Sequence, residues 1–363
     1  MSTPWHVVGG GIIGLLSAYE LALAGEHVVI LDRQSVGAEA SWAGGGILSP
    51  LYPWRYPEAI APLARWSQSQ YPGLAESLRR ATGIDPEWTR SGLLILDAAD
   101  RRAGMEWCRT HGLAAEMLDA QRLSGLEPGL CTGLGSAIRL PDVAQIRNPR
   151  LLKALGHRLR ASGVEIREGI AVRGFESSRG RLSGIRTDSG ILRADRCLVA
   201  AGPWSAALLS AVGLDLPLRP VRGQMLVLSG GILPFKHILL RESRYLIPRR
   251  DGRILIGSTQ EEEGFNKSTT SVAREQLFAA ACALVPELGD WQIEHHWAGL
   301  RPGSPDGVPY IGQHPGIAGL YVNTGHFRNG IVLAPASARL IVDLMLSRPP
   351  LLDPDQFSLT RTC

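Results

Sequence analysis

Three glycines near the start of the chain, Gly9, Gly11 and Gly14, stand in a GxGxxG spacing between the apolar pair Val7-Val8 and a helix-like run that starts at Ile12 and Ile13. Each glycine answers a separate demand of holding a dinucleotide pyrophosphate. Gly9 allows the sharp turn off a strand, Gly11 lets the backbone approach the phosphates, and Gly14 lets the new helix pack against the sheet. The amides of Ile12 and Ile13, at the helix N-terminus, face the negative charge. A second apolar run, residues 28–31, ends in Asp32 with Arg33 beside it. That carboxylate lies at the spacing of about 20 residues expected of an acceptor for both ribose hydroxyls.

A second stretch, residues 37–50, resembles neither a strand nor a long helix. Ala40, Ser41, Gly44, Gly45, Gly46, Ile47 and Leu48 fall within it. Small residues packed this densely let a flat ring lie against backbone amides, as a flavin requires. The competing reading is a flexible glycine hinge.

These two stretches need elements to carry them. Residues 5–8 and 28–31 read as parallel strands with a helix over 12–24 between them. Residues 57–81 have a helical pattern interrupted or restarted near Pro72. Residues 92–96 read as a strand, 100–111 as a helix, and 112–126 as a short strand and a helix. A helix opens at Asn148 or Pro149 and runs to about residue 162, followed by a strand at 164–167. The runs near 172–175 and 182–187 return the chain to a doubly wound sheet, with Val172 placed for a backbone contact on the adenine side. The strand 197–201 ends in small residues and Gly202, which again brings backbone close to a cofactor. Residues 217–229, 245–248 and 253–258 read as antiparallel strands with turn signals such as Asp251-Gly252. A helix over 272–285, strands at 293–297 and 320–323, and a helix over 329–346 complete the chain.

The expected fold class is α/β: a doubly wound, Rossmann-like FAD-binding domain interwoven with an α+β substrate domain built on a mostly antiparallel sheet. Residues 1–84, 145–215 and 296–363 are assigned to the first, and residues 85–144 and 216–295 to the second. No internal repeat or low-complexity linker strings the two in series.

Composition excludes several function classes. With 363 residues, 45% of them hydrophobic and 20% charged, the chain has a core large enough for two domains. The formal charge of +4 is small and the arginine pairs are scattered, so no nucleic-acid partner is expected. Five cysteines with no CxxC pair indicate neither a disulfide framework nor a zinc site. No apolar run suits a membrane span, and residue 5 already begins a strand with no basic lead, so a cytoplasmic location is expected. His295 and His296 point to opposite faces of a strand, a poor geometry for one metal that favours satisfied surface or core histidines, and Glu261, Glu262 and Glu263 read as a solvated loop.

With these features in place, the sequence resembles the D-amino-acid-oxidase-like superfamily of FAD amine oxidoreductases, and within it the bacterial glycine oxidases of the ThiO type. The resemblance covers nearly the full chain. It is carried by the N-terminal fingerprint with residues 41–48, by Trp297-Ala298-Gly299-Leu300-Arg301-Pro302 with Asp306-Gly307-Val308-Pro309-Tyr310-Ile311-Gly312, and by Gly325-His326-Phe327-Arg328-Asn329-Gly330-Ile331.

The resemblance implies a carboxylate clamp at Arg301, whose planar donor fork suits bidentate binding. It implies a hydrogen bond from the Tyr245 hydroxyl to the same carboxylate, and a second basic group, Arg328, near substrate and flavin. It places Phe327, Arg328, Asn329, Gly330, Ile331, Val332 and Leu333 with their amides toward the flavin pyrimidine carbonyl, where a helix N-terminus favours negative charge. Gln260 departs from the apolar residue some members carry there. No cysteine matches the one that holds flavin in sarcosine oxidases, so FAD is expected to be non-covalent.

The implied activity is oxidation of glycine and other small amines, sarcosine and D-alanine among them, with molecular oxygen as acceptor and no side chain required as acid or base. Supply of glycine imine to thiamine thiazole synthesis and a homo-oligomer, a tetramer by resemblance, are implied as well. The alternatives are a D-amino-acid or sarcosine dehydrogenase that hands electrons to another carrier, and a non-catalytic FAD-binding module.

Overall fold

The computed structural model describes residues 3–361. Its first sheet has six strands in the order Tyr310–Gln313, Leu320–Thr324, Cys197–Val199, Trp5–Val8, Val28–Asp32, Glu165–Glu168. All neighbours are parallel except the edge pair Tyr310–Gln313 and Leu320–Thr324. The central strands are apolar without alternation because both faces are covered. Trp5, Val7 and Ile30 pack under the helices Ile12–Leu23, Ile60–Thr82, Asn148–Ala161 and Gly330–Met345. Val8, Val29, Leu31 and Val199 pack on the opposite side against Phe175, Leu182 and Ile185.

Those last three residues correct one expectation. Residues 172–175 and 182–187 do not rejoin the parallel sheet. The strands Val172–Ser178, Arg181–Thr187 and Gly190–Arg193 form their own three-stranded antiparallel sheet that covers the second face, with one isolated bridge from Arg181 to Ala318. Short turns join them, and an antiparallel hairpin needs no crossover helix.

The second large sheet has eight strands: Gln292–Gly303, Arg219–Ser229, Ile254–Gly257, Arg244–Pro248, Ile238–Arg241, Leu93–Ile95, Ala137–Leu140 and Glu116–Leu118. Only Ile238–Arg241 with Leu93–Ile95 is parallel. Side chains alternate between two cores. Leu246 and Ile256 join the layer under helix Ser271–Leu284, while Tyr245, Ile247 and Leu255 face Ile47, Tyr52 and Met225.

Two elements run further than the sequence pattern indicates. Strand Gln292–Gly303 continues beyond residue 297 through a glycine- and proline-bearing stretch, because Val221 to Arg219 keep pairing with Arg301 to Gly303. Pro302 is tolerated there because this strand is the sheet edge. Helix Ile60–Thr82 passes Pro72 without a break. An internal proline costs about 3 kcal/mol, and the packing of this helix on Gly330–Met345 offsets it. Tyr71 is fully buried at that contact and its hydroxyl donates to the Ile331 carbonyl.

Candidate active site

A cavity of about 450 Å³ lies where residues of the two large sheets meet. That volume is in the range of small-molecule and cofactor sites. At one end Gly9 leaves strand Trp5–Val8 with φ +107°, and a Cβ on it would lie 2.4 Å from the Ala200 carbonyl oxygen. A Cβ on Gly14 would lie 1.9 Å from the Gly9 carbonyl, so this glycine serves the turn and not the cavity wall. Gly11 has extended backbone and open space before it, its nearest neighbour being Ser41 Oγ at 3.2 Å from a built Cβ. The cradle is therefore shaped for a ligand that approaches backbone.

Asp32 accepts hydrogen bonds from the Gly10 amide at 2.7 Å and the Gln34 amide at 2.8 Å. Burial pushes its pKa up, and those amides together with Arg33 oppose the shift. Each carboxylate oxygen keeps a lone pair for a ribose hydroxyl. Ser41 Oγ accepts from the Ile12 amide at 2.9 Å, so Ser41 belongs to the helix N-terminus beside the Gly11 turn.

The small-residue stretch is fixed from behind. Asn148 Nδ2 donates to the carbonyls of Ser41 and Gly44, each at 2.9 Å. Arg249, buried, donates to the Gly45 carbonyl at 2.7 Å, to Gln145 Oε1 at 2.7 Å and to the Ile146 carbonyl. Trp297 Nε1 donates to the Ala43 carbonyl at 3.2 Å. With their carbonyls held outward, residues 43–46 present small surfaces to the cavity, and Gly46 has φ +74°. A flat ring fits such a wall.

At the other end stands Arg301. Its Nη2 donates to Ser258 Oγ at 2.7 Å and its Nη1 to the Thr259 carbonyl at 3.1 Å. Among the described residues no carboxylate lies within ion-pair distance of Arg301 or of Arg328, and Arg328 donates only to the Ser243 carbonyl, at 3.1 Å. What surface Arg301 retains lines the cavity. Burial, with a smaller push from the Arg328 charge, lowers its pKa to about 10, so it remains a cation at neutral pH. An uncompensated buried cation on a cavity wall favours an anionic ligand. Tyr245, 6% exposed, lies on the adjoining wall with its hydroxyl 3.8 Å from Met225 Sδ, a weak acceptor, which leaves it available to a better one. His326 is also in the wall. Burial lowers its pKa to about 3, so it is neutral, and its Nε2 has no partner.

Of the residues marked in the sequence, Gly9, Gly11, Ile12, Ile13, Asp32, Arg33, Ala40, Ser41, Gly44, Gly45, Gly46, Ile47, Val172, Gly202, Tyr245, Arg301, Phe327, Arg328, Gly330, Ile331 and Val332 line this one cavity. Gly14, Leu48, Asn329 and Leu333 do not. Leu48 and Leu333 are buried in the core beneath the helices, and the Asn329 backbone N–H donates to the His326 carbonyl at 2.9 Å. Gln260 is exposed and outside the wall. Trp204, Gly223, Met225, Ser258, Gly299 and His326 line the cavity without having been marked. Only pairing register brings Gly223 and Gly299 opposite each other, and no motif carries that. Glu261 is also more than a solvated loop residue, since it accepts from Arg222 Nε at 2.8 Å and Gln224 Nε2 at 2.9 Å.

Comparison with known proteins agrees with this geometry. The chain is 49% identical over 359 residues to a glycine oxidase of Pseudomonas aeruginosa, with 99% of each chain covered. It is 34% identical to a bifunctional ThiO/ThiG protein of Trichormus variabilis, covering 94% of this chain and 52% of that protein. The crystal structure of glycine oxidase from Geobacillus kaustophilus superposes with a TM-score of 0.94 at 31% identity, covering 99% of this chain and 98% of that one. Residues 5–344 match the model of the FAD dependent oxidoreductase family, DAO, and the chain belongs to that family of FAD-dependent oxidoreductases.

Proposed function

We propose that this protein oxidises glycine and other small amines, including sarcosine and D-alanine, to glyoxylate or another α-keto acid, ammonia or amine, and hydrogen peroxide. The observation that carries the reading is the Arg301 guanidinium, a cation with only neutral partners on the wall of the cofactor cavity. FAD, held by the residues named below, would supply a two-electron acceptor for the substrate α-hydrogen and a route for those electrons to oxygen. Arg301 binds the substrate carboxylate through its donor fork, the Tyr245 hydroxyl adds a hydrogen bond to it, and Arg328 supplies a second positive charge. Holding the substrate with its neutral amine and α-carbon oriented supplies most of the rate, so no side-chain base is needed. Water then hydrolyses the imine.

In this reading the cradle around Gly9, Gly11, Ile12, Ile13, Asp32 and Arg33, with Ser41 beside it, takes the adenosine diphosphate half, Val172 and Gly202 approach it, and Ala40, Gly44, Gly45, Gly46 and Ile47 with Phe327, Arg328, Gly330, Ile331 and Val332 take the flavin. FAD is held without a covalent bond. Residues 1–84, 145–215 and 296–363 form the FAD-binding domain, which also carries Arg301 and Arg328, and residues 85–144 and 216–295 form the substrate-binding domain. Supply of glycine imine to thiamine thiazole synthesis, a cytoplasmic location and a homo-oligomer, a tetramer, complete the proposal. Among the described residues no helix is long and apolar enough to cross a membrane.

Mixing the purified yellow protein with glycine tests the reading. Anaerobic bleaching of the flavin with peroxide formed in air supports it. Bleaching without peroxide makes the protein a dehydrogenase that serves another carrier, and a spectrum indifferent to every amino acid makes it a non-catalytic FAD module.

A further inference from the structure

The loop 261–270, which leaves the eight-stranded sheet between Ile254–Gly257 and Ser271–Leu284, reaches across to the cofactor side. Its two feet are fixed on strand Arg219–Ser229. Arg222 and Glu261 exchange backbone hydrogen bonds at 2.9 and 3.0 Å, Arg222 Nη1 donates to the Ser268 carbonyl at 3.1 Å, and the Thr270 amide donates to Gln224 Oε1 at 2.9 Å. The tip is exposed and carries an aromatic side chain in the open, Phe265, 52% accessible. Phe265 stacks on Trp204 with ring centroids 5.6 Å apart at 27°. The Trp204 ring also carries the Arg33 guanidinium, 3.7 Å from its centroid. Arg33 pairs with Glu39 at 3.0 Å, and Glu39 in turn pairs with Lys267 at 3.1 Å, back on the tip.

These five side chains form a closed circuit, two from the loop and three from the cofactor side. Arg33, Glu39 and Trp204 line the cavity, whereas Phe265 and Lys267 do not. Arg33 directly follows Asp32, so the circuit stands at the adenosine end. We infer that the tip of loop 261–270 is a clasp that retains FAD: Phe265 and Lys267 position Trp204, Arg33 and Glu39 across the adenosine end of the cavity, and FAD enters and leaves only when the stack and the ion pair open. The inference rests on the FAD reading above. Aromatic stacking gives the clasp its salt-insensitive part, and the cation on the Trp204 ring adds an electrostatic contribution. Lys267 and Glu39 are partly exposed, and their attraction is screened by salt.

The release rate of FAD from holoprotein, followed by flavin fluorescence after dilution, tests this. Phe265→Ala is expected to speed release about tenfold and Lys267→Ala about threefold at low salt, with the second difference disappearing at high salt. Phe265→Trp and Lys267→Arg are expected to restore the slow rate, which general damage to the loop would not allow. kcat for glycine at saturating FAD stays within about twofold, since neither residue touches the cavity. Release at the wild-type rate or slower in both alanine variants, or failure of both conservative variants to restore it, overturns the clasp. A wild-type protein that takes up no FAD would instead overturn the functional reading.

Discussion

The Arg301 guanidinium occupies space left by Gly223: a Cβ at residue 223 would lie 2.2 Å from Arg301 Nη2 and 2.4 Å from its Cζ. Gly223 stands on the strand paired with Gln292–Gly303, opposite Gly299, which itself would drive a Cβ to 2.5 Å from the Ala43 side chain. Two facing glycines thus make room for the Arg301 guanidinium and for Ala43 of the small-residue wall. Gly223→Ala is expected to displace Arg301 and raise KM for glycine at least about tenfold, with the visible flavin spectrum retained. Steady-state kinetics on the yellow variant decides it.

Gly11 and Gly14 have separable duties. A methyl group on Gly11 would enter the phosphate cradle without backbone strain, since its φ is −73°. Gly11→Ala is expected to weaken FAD binding while leaving the Tm of the apoprotein unchanged. Gly14→Ala places a carbon 1.9 Å from a backbone oxygen and is expected to lower the apoprotein's stability by about 1–3 kcal/mol. Denaturant melts of the two apoproteins and FAD titrations separate the cases.

Asn148 ties the helix Asn148–Ala161 to the small-residue wall of the cavity through its two bonds to Ser41 and Gly44. Asn148→Ala leaves both carbonyls without that donor, at a cost of about 1–3 kcal/mol. The expected result is a lower denaturation midpoint together with faster loss of FAD, whereas a change in KM alone would contradict this role.

His326 gives the fold an acid limit. Its imidazole is buried and its folded pKa lies near 3, below the unfolded value of about 6.5. Above about pH 6.5 both states hold it neutral and it adds no pH dependence. As pH falls below that value the unfolded state takes up a proton that the folded state refuses, so stability declines by up to about 1.4 kcal/mol per pH unit until about pH 3. His326→Asn is expected to flatten that part of a Tm-against-pH profile; equal slopes in both proteins would show that other groups set the acid limit.

The cofactor half of the site is legible in the sequence because backbone makes it. Gly9, Gly11 and Gly14 mark a turn whose chemistry is local, and the strand–helix–strand order around them follows from periodicity. The carboxylate end is legible only through resemblance, because Arg301 acquires its meaning from neighbours far away in the chain: Ser258, Thr259 and Gly223 meet it through strand pairing. The unbroken helix at Pro72 and the separate sheet over 172–193 were hidden for the same reason. A local signal, a proline or an alternating strand, gives no information about the surface on which the element packs. Glu261 read as solvated until Arg222, 39 residues earlier, was placed beside it.

Arg301→Ala tests the central claim most directly, measured as glycine-dependent flavin reduction without oxygen in the FAD-loaded protein. Loss of a buried charge-assisted partner costs about 2–5 kcal/mol, so the glycine concentration for half-maximal reduction is expected to rise about 30-fold or more while the flavin spectrum before glycine is unchanged. Half-maximal reduction within about twofold of the wild-type concentration would show that the substrate carboxylate binds elsewhere and would contradict the account.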